Sequence, residues 1–123
     1  MQKVLVVEDH PAMRALLVHQ VKMMGFSPVA ASDGCDGVEK AIQEAPILIL
    51  MDIMMPGLDG LEAARILRSN GATKHIPILA ATVLFSEYDL ESCLEAGCSD
   101  YLVKPFTYQQ FRAKVAKLVP RSH

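Results

Sequence analysis

Residues 46–57 constrain this chain most. Pro46, Ile47, Leu48, Ile49, Leu50 and Met51 lead without a polar interruption to Asp52, and Ile53, Met54 and Met55 then run to a break at Pro56 and Gly57. An apolar run of strand length with no polar alternation is the habit of a strand covered on both faces, as in parallel sheets. Its single carboxylate, Asp52, would stand at the carboxyl edge of that sheet, where open α/β folds bind their ligands. An Asp at this place also serves simply to cap the following turn. The run alone leaves both roles open.

The rest of the chain supplies the sheet. Lys3 to Val7 is apolar and β-branched, a first strand ending in Glu8 and Asp9. Pro11 suits the first turn of a helix, whose inner stripe is Met13, Leu16, Leu17, Val21 and Met24, with Gly25 as its stop. Phe26 to Ala30 reads as a second strand, Ser32-Asp33-Gly34 as a turn, and Val38, Ala41, Ile42 and Ala45 as a second helix ended by Pro46. Asp59 caps a third helix, with Leu61, Ala64 and Leu67 inward and Arg65 and Arg68 outward. Ile76 to Ala81 gives strand four, ending at Thr82. Ser86, with Asp89 three residues on, resembles an N-terminal cap for a helix buried through Leu90, Cys93 and Leu94. Tyr101 to Val103 is strand five, followed by Lys104 and Pro105. Phe111, Val115 and Leu118 line a last helix. Five strands alternating with five helices mean a parallel sheet with helices on both faces. Right-handed crossovers make it doubly wound.

At 123 residues the chain has the length of one domain, so residues 1–123 read as a single unit with a frayed tail over 119–123. A charged fraction of 21% beside 51% hydrophobic residues places it among globular proteins. A net charge of −2 gives no electrostatic case for nucleic acid or an anionic membrane. No apolar run approaches the ~20 residues of a membrane span, and no signal peptide follows Met1, so the cytoplasm is the expected compartment. The three cysteines, Cys35, Cys93 and Cys98, have neither a disulfide framework's pairing nor metal-ligand spacing, and read as reduced packing residues.

In a parallel sheet all strand ends lie on one edge. Glu8 and Asp9 end the first strand, Asp52 the third, Thr82 the fourth and Lys104 the fifth. Three carboxylates close together repel and raise one another's pKa. A hard divalent cation such as Mg²⁺ relieves that repulsion with oxygen ligands. Lys104 and Thr82 add the point charge and hydroxyl that a phosphoryl group needs, and an Asp carboxylate can itself be phosphorylated. The set reads as Mg²⁺-dependent phosphoryl acceptance on Asp52.

Four stretches together resemble the receiver domain of two-component response regulators: Val6-Val7-Glu8-Asp9, residues 51–60, Pro77 to Thr82, and residues 96–106. The resemblance covers residues 3–118 and implies the flavodoxin-like strand order 2-1-3-4-5. It implies that Asp52 accepts a phosphoryl group from a sensor histidine kinase or phosphotransfer protein, with the chain catalysing its own phosphorylation and dephosphorylation. Asp9 then matches a direct Mg²⁺ ligand, Glu8 an acid acting through water, and Met54 a backbone-carbonyl ligand beside Asp52. Thr82 and Tyr101 match the switch pair that moves the face of helix four, strand five and helix five. Lys104 matches the phosphate-binding lysine, and Lys104-Pro105 a bond usually cis. Met54 and Leu84 flank the line of water attack, and neither side chain can hold a water well; with Val83 adding bulk, a long-lived phosphorylated state is implied. A degenerate receiver serving as an interaction scaffold and a flavodoxin-like electron carrier are the alternatives. The intact set argues against the first. Glu8 and Asp9 would repel a flavin phosphate and so argue against the second.

Overall fold

The computed structural model describes residues 1–55, 57–83 and 87–119, with the side chains of residues 87–89 left aside. The elements alternate as the hydrophobic pattern requires: β1 (Lys3–Val7), α1 (Pro11–Met23), β2 (Ser27–Ala31), α2 (Gly34–Glu44), β3 (Leu48–Asp52), α3 (Gly60–Ser69), β4 (Ile78–Thr82), α4 (Glu87–Glu95), β5 (Asp100–Val103) and α5 (Tyr108–Leu118). The five strands form one parallel sheet in the order β2-β1-β3-β4-β5.

Alternation along the central strands builds two cores. Leu5, Val7, Ile49, Met51, Ile78 and Ala80 face one side, against Ala41 of α2, Ala63, Ala64 and Leu67 of α3, and Cys93 of α4. Val4, Val6, Leu48, Leu50, Leu79 and Ala81 face the other, against Leu17 and Val21 of α1 and Phe111 and Val115 of α5. Every residue of β3 and β4 is buried, as a strand covered on both sides must be. Truncating one of these side chains, Leu50→Ala for instance, would cost about 2–5 kcal/mol.

Helix boundaries follow local chemistry. Asp33, Asp59 and Thr107 cap α2, α3 and α5 by accepting from the backbone N–H three residues on, and Thr107 forms a capping box with Gln110. Strand edges shift by a residue or two from the sequence reading. β2 starts at Ser27 rather than Phe26, β4 at Ile78 rather than Ile76, and β5 at Asp100 rather than Tyr101.

Several side chains depart from their expected positions. Leu16, Ile42 and Leu94, read as inner-face residues, are 49%, 43% and 50% exposed, because α1, α2 and α4 bury narrower stripes than their apolar residues would allow. Arg68, read as outward, instead folds over the end of α3 to bond the carbonyls of Gly97 and Ile76. Val119, read as the head of a frayed tail, caps α5 and is buried beside Phe111 and Val115. The rest of that tail, and the cap assigned to Ser86, lie outside the described residues. Among the described residues no helix is long and apolar enough to cross a membrane.

Candidate functional site

Register brings the acidic residues together. Val7 pairs with Met51 across β1 and β3, so the next residues, Glu8 and Asp52, leave the sheet side by side. Asp52 pairs with Ala81 and Thr82 with Val103, which sets Lys104 one step beyond Thr82. The Lys104 N–H donates to the Thr82 carbonyl at 2.7 Å, extending the ladder past the last strand residues. The order of strands reverses between β1 and β3, so the crevice of the fold opens between Glu8-Asp9 and Asp52.

Four of the five expected site residues converge there, and the fifth, Thr82, ends the neighbouring strand β4. Carboxylate oxygens of Glu8, Asp9 and Asp52 lie within 4.8 Å of one another. Lys104 Nζ sits 2.8 Å from Glu8 Oε1 and 3.5 Å from Asp52 Oδ1. Glu8, Asp52 and Thr82 are buried. The Lys104-Pro105 bond is cis. Glu8 Oε2 accepts from the His10 N–H at 3.2 Å, and Asp52 Oδ1 from the Met54 N–H at 3.1 Å.

The charges do not share this space evenly. Burial pushes the Asp52 carboxyl from 3.8 up to about 7; Lys104 pulls against this, while the charge of Glu8 and a bond to it push the same way. Burial also works against the Glu8 carboxylate, yet Lys104, the His10 N–H and the bond from Asp52 hold Glu8 below its ordinary range. Burial disfavours the Lys104 cation too, but Glu8 and Asp52 outweigh it and keep the ammonium charged. Asp52 therefore gives up its proton far less readily than Glu8, and full ionisation of the site would leave an excess of negative charge that a cation can relieve.

Four further residues hold the site and were not singled out by sequence. Arg14 donates from Nη1 to the carbonyl of Glu8 at 3.0 Å, tying the acid pair to the first turn of α1. His10 caps α1 by accepting from the Met13 N–H on Nδ1 at 3.3 Å; its place just before Pro11 was the available signal. Gly60 opens α3 so close to β3 that an added Cβ would stand 2.5 Å from the Asp52 carbonyl oxygen and 2.7 Å from Ile53 Cα. Lys114 holds the expected switch residue: its Nζ lies 5.3 Å above the half-buried Tyr101 ring and 2.9 Å from Asp100 Oδ1. A cleft of about 370 Å³ opens beside that ring, lined also by Phe106 and Gln110. Met54 and Val83 are exposed, at 57% and 47%. Leu84 lies outside the described residues.

A doubly wound parallel α/β sheet with an acidic crevice at its switch point, reached by a lysine from the end of β5, is the class of fold and site that suits a divalent cation and an anionic ligand. Residues 4–116 match the response regulator receiver domain, and the chain belongs to that family. It is 37% identical over 98% of its length to the alkaline phosphatase synthesis transcriptional regulatory protein PhoP of Bacillus subtilis, covering 50% of that protein. It is likewise 37% identical over 98% of its length to the response regulator MprA of Mycobacterium leprae, covering 52%. The chain thus spans about half the length of these curated relatives. Among solved structures, the chemotaxis protein CheY4 of Vibrio cholerae superposes with a TM-score of 0.92 at 28% identity, over 97% of this chain and 99% of that one. The receiver domain of a sensor histidine kinase from Pseudomonas aeruginosa, described with a magnesium ion coordinated in the active site cleft, gives 0.88 at 32% identity, over 95% and 96%.

Proposed function

We propose that this chain is the phospho-acceptor of a two-component relay, taking a phosphoryl group from a phosphohistidine onto Asp52. The carrying observation is the meeting of three carboxylates within 4.8 Å beside a lysine ammonium, at the buried end of a central strand. The donor set fits Mg²⁺: hard oxygens, excess negative charge and an open side at the more exposed Asp9. Asp9 and Asp52 would hold the ion directly, Glu8 through water and Met54 through its carbonyl. Bound there, Mg²⁺ supplies the positive charge that displaces the proton from Asp52 and neutralises the incoming phosphoryl oxygens.

Asp52, once deprotonated, attacks phosphorus; the new O–P bond forms as the N–P bond of the donor breaks, and the departing imidazole takes a proton. Lys104, already within 3.5 Å of Asp52 Oδ1, follows the phosphoryl oxygens as a mobile point charge. Thr82, at the end of β4, donates its hydroxyl to the same group. Its movement frees space into which Tyr101 turns, and the face of α4, β5 and α5 changes as a two-state population shift. The donor is a sensor histidine kinase or a phosphotransfer protein; the reader of the changed face is a target protein or an output domain. The compartment that suits such a relay is the cytoplasm.

The test is acetyl phosphate with Mg²⁺, read by intact-protein mass. The wild type should gain one phosphoryl group, lose the ability when the metal is chelated, and lose it in Asp52→Asn. Labelling of Asp52→Asn at the wild-type level would overturn the assignment.

A further inference from the structure

Few of the described side chains of α4 are buried. Among its described side chains Cys93 alone is buried, while Leu94 is 50% exposed and Glu91 and Glu95 face solvent. The helix ends in a Schellman motif. The Gly97 N–H donates to the Leu94 carbonyl and the Cys98 N–H to the Cys93 carbonyl, each at 3.0 Å, around Gly97 at φ +109. That motif is frequently accompanied by contact between the side chains of the two residues its outer bond joins. Here both are cysteines, both are buried, and both belong to the core cluster of that face of the sheet. Arg68 fixes the turn from outside, bonding the Gly97 carbonyl at 2.8 Å and the Ser99 hydroxyl at 3.3 Å.

We propose that Cys93 and Cys98 are a thiol pair that exchange with a low-molecular-weight disulfide converts to an intramolecular disulfide, clamping the C-terminal end of α4 onto the start of β5. Packed in place, the pair is inert: burial and the neighbouring Cys93 thiol push Cys98 up to about 12, with Arg68 only partly offsetting them. Reaction therefore passes through local opening of α4, whose described side chains include one buried anchor, Cys93 itself. In the opened state the thiolate of one cysteine attacks the small disulfide. Its S–S bond breaks, a mixed disulfide forms, and one small thiolate leaves and takes a proton. The second cysteine then attacks its partner's sulfur in that mixed disulfide and releases the second small thiol. The protein gives up two electrons and two protons, and the two small thiols carry them away. The cysteines are only five residues apart, so even with α4 open ring closure competes well with a second external exchange.

The consequence concerns the proposed switch face, and to that extent it rests on the phosphorelay reading. The bond itself does not, and its test needs no phosphorylation. Cys35 is exposed, so the experiment uses Cys35→Ser, incubated with oxidised glutathione, quenched with acid and alkylated in denaturant. The expected product is a Cys93–Cys98 linked peptide lighter by two hydrogens and unalkylated, with amide exchange across α4 slowed about tenfold or more. In Cys98→Ser, Cys93 should instead retain glutathione. Full alkylation of both cysteines after oxidation overturns the proposal, as does glutathione left stably on either member of the native pair. A linked product whose α4 amides exchange at the reduced rate overturns the clamp. If the bond forms and slows α4 but Asp52 takes up no phosphoryl group, the phosphorelay reading fails and the thiol pair stands.

Discussion

Asp52 and Asp100 are the same residue under similar cover, 4% and 9% exposed, and they titrate in opposite directions. Asp52 shares one lysine with Glu8 and faces other carboxylates, so burial wins and its carboxyl rises to about 7. Burial works on Asp100 as well, but Lys114 at 2.9 Å, Lys117 at 3.4 Å and the Tyr101 N–H at 2.8 Å overcome it and hold Asp100 below the usual range. Cover alone therefore does not make a carboxylate reactive. What separates an acceptor from a strut is whether its negative charge is already answered.

The largest test of that contrast is exchange of each for its amide. Asp52→Asn should abolish phosphorylation by acetyl phosphate while leaving a folded protein, since the amide is a neutral isostere of the protonated carboxyl that burial favours. Asp100→Asn should keep phosphorylation and lose about 1–2 kcal/mol in urea unfolding, because two lysines lose their acceptor. If Asp100→Asn also stops phosphorylation, the two carboxylates are not functionally distinct.

Asp9 sharpens the account on the acceptor side. Loss of an outer-shell partner costs a metal site 10–100-fold, so loss of a direct ligand in Asp9→Ala should weaken Mg²⁺ by at least about 100-fold. The metal-free variant should be as stable as wild type or more so, with one fewer like charge. Calorimetric titration and thermal unfolding check the two halves, and unchanged Mg²⁺ affinity would remove Asp9 from the site.

The third prediction separates the two carboxylates by pH in metal-free protein. Asp52 is raised when folded, so between pH 3.8 and about 7 the native state holds a proton the unfolded chain lacks. Its contribution is therefore full below 3.8 and lost as pH rises toward 7, a change on the order of 4 kcal/mol. Asp100 is lowered when folded, so its contribution is full above 3.8 and lost as pH falls below that. Asp52→Asn should flatten the slope between pH 4 and 7 and leave the acid limb in place; Asp100→Asn should do the reverse. A slope surviving in Asp52→Asn would assign the proton elsewhere.

The smallest effect concerns lifetime. Met54, 57% exposed beside the acceptor, offers water no strong partner. Met54→Asn should shorten the phosphorylated state by about tenfold, equivalent to ~1.4 kcal/mol of barrier. The check is loss of the phosphoryl group with time after the donor is removed; an unchanged rate means Met54 does not set the clock.

How much of this was legible follows from the range of each signal. Strand ends and caps are local: the run into Asp52, Pro11 at a helix start and Asp59 before a helix were all readable, and with them the acidic crevice. Arg68 was misread because its partners, Gly97 and Ile76, lie in turns outside its own helix, which helical periodicity cannot encode. The Lys114 contact with Tyr101 and Asp100 was likewise hidden, since it depends on how α5 lies across β5. Leu16 and Leu94 were assigned inward because periodicity says which side is apolar, not how wide a stripe the neighbours cover.

Every reacting group stands on, or one or two residues beyond, the last residue of a strand, where backbone pairing sets its position. Segments farther out in the loops lie beyond that pairing, and there insertion and deletion are better tolerated. The sheet thus acts as a jig for the crevice.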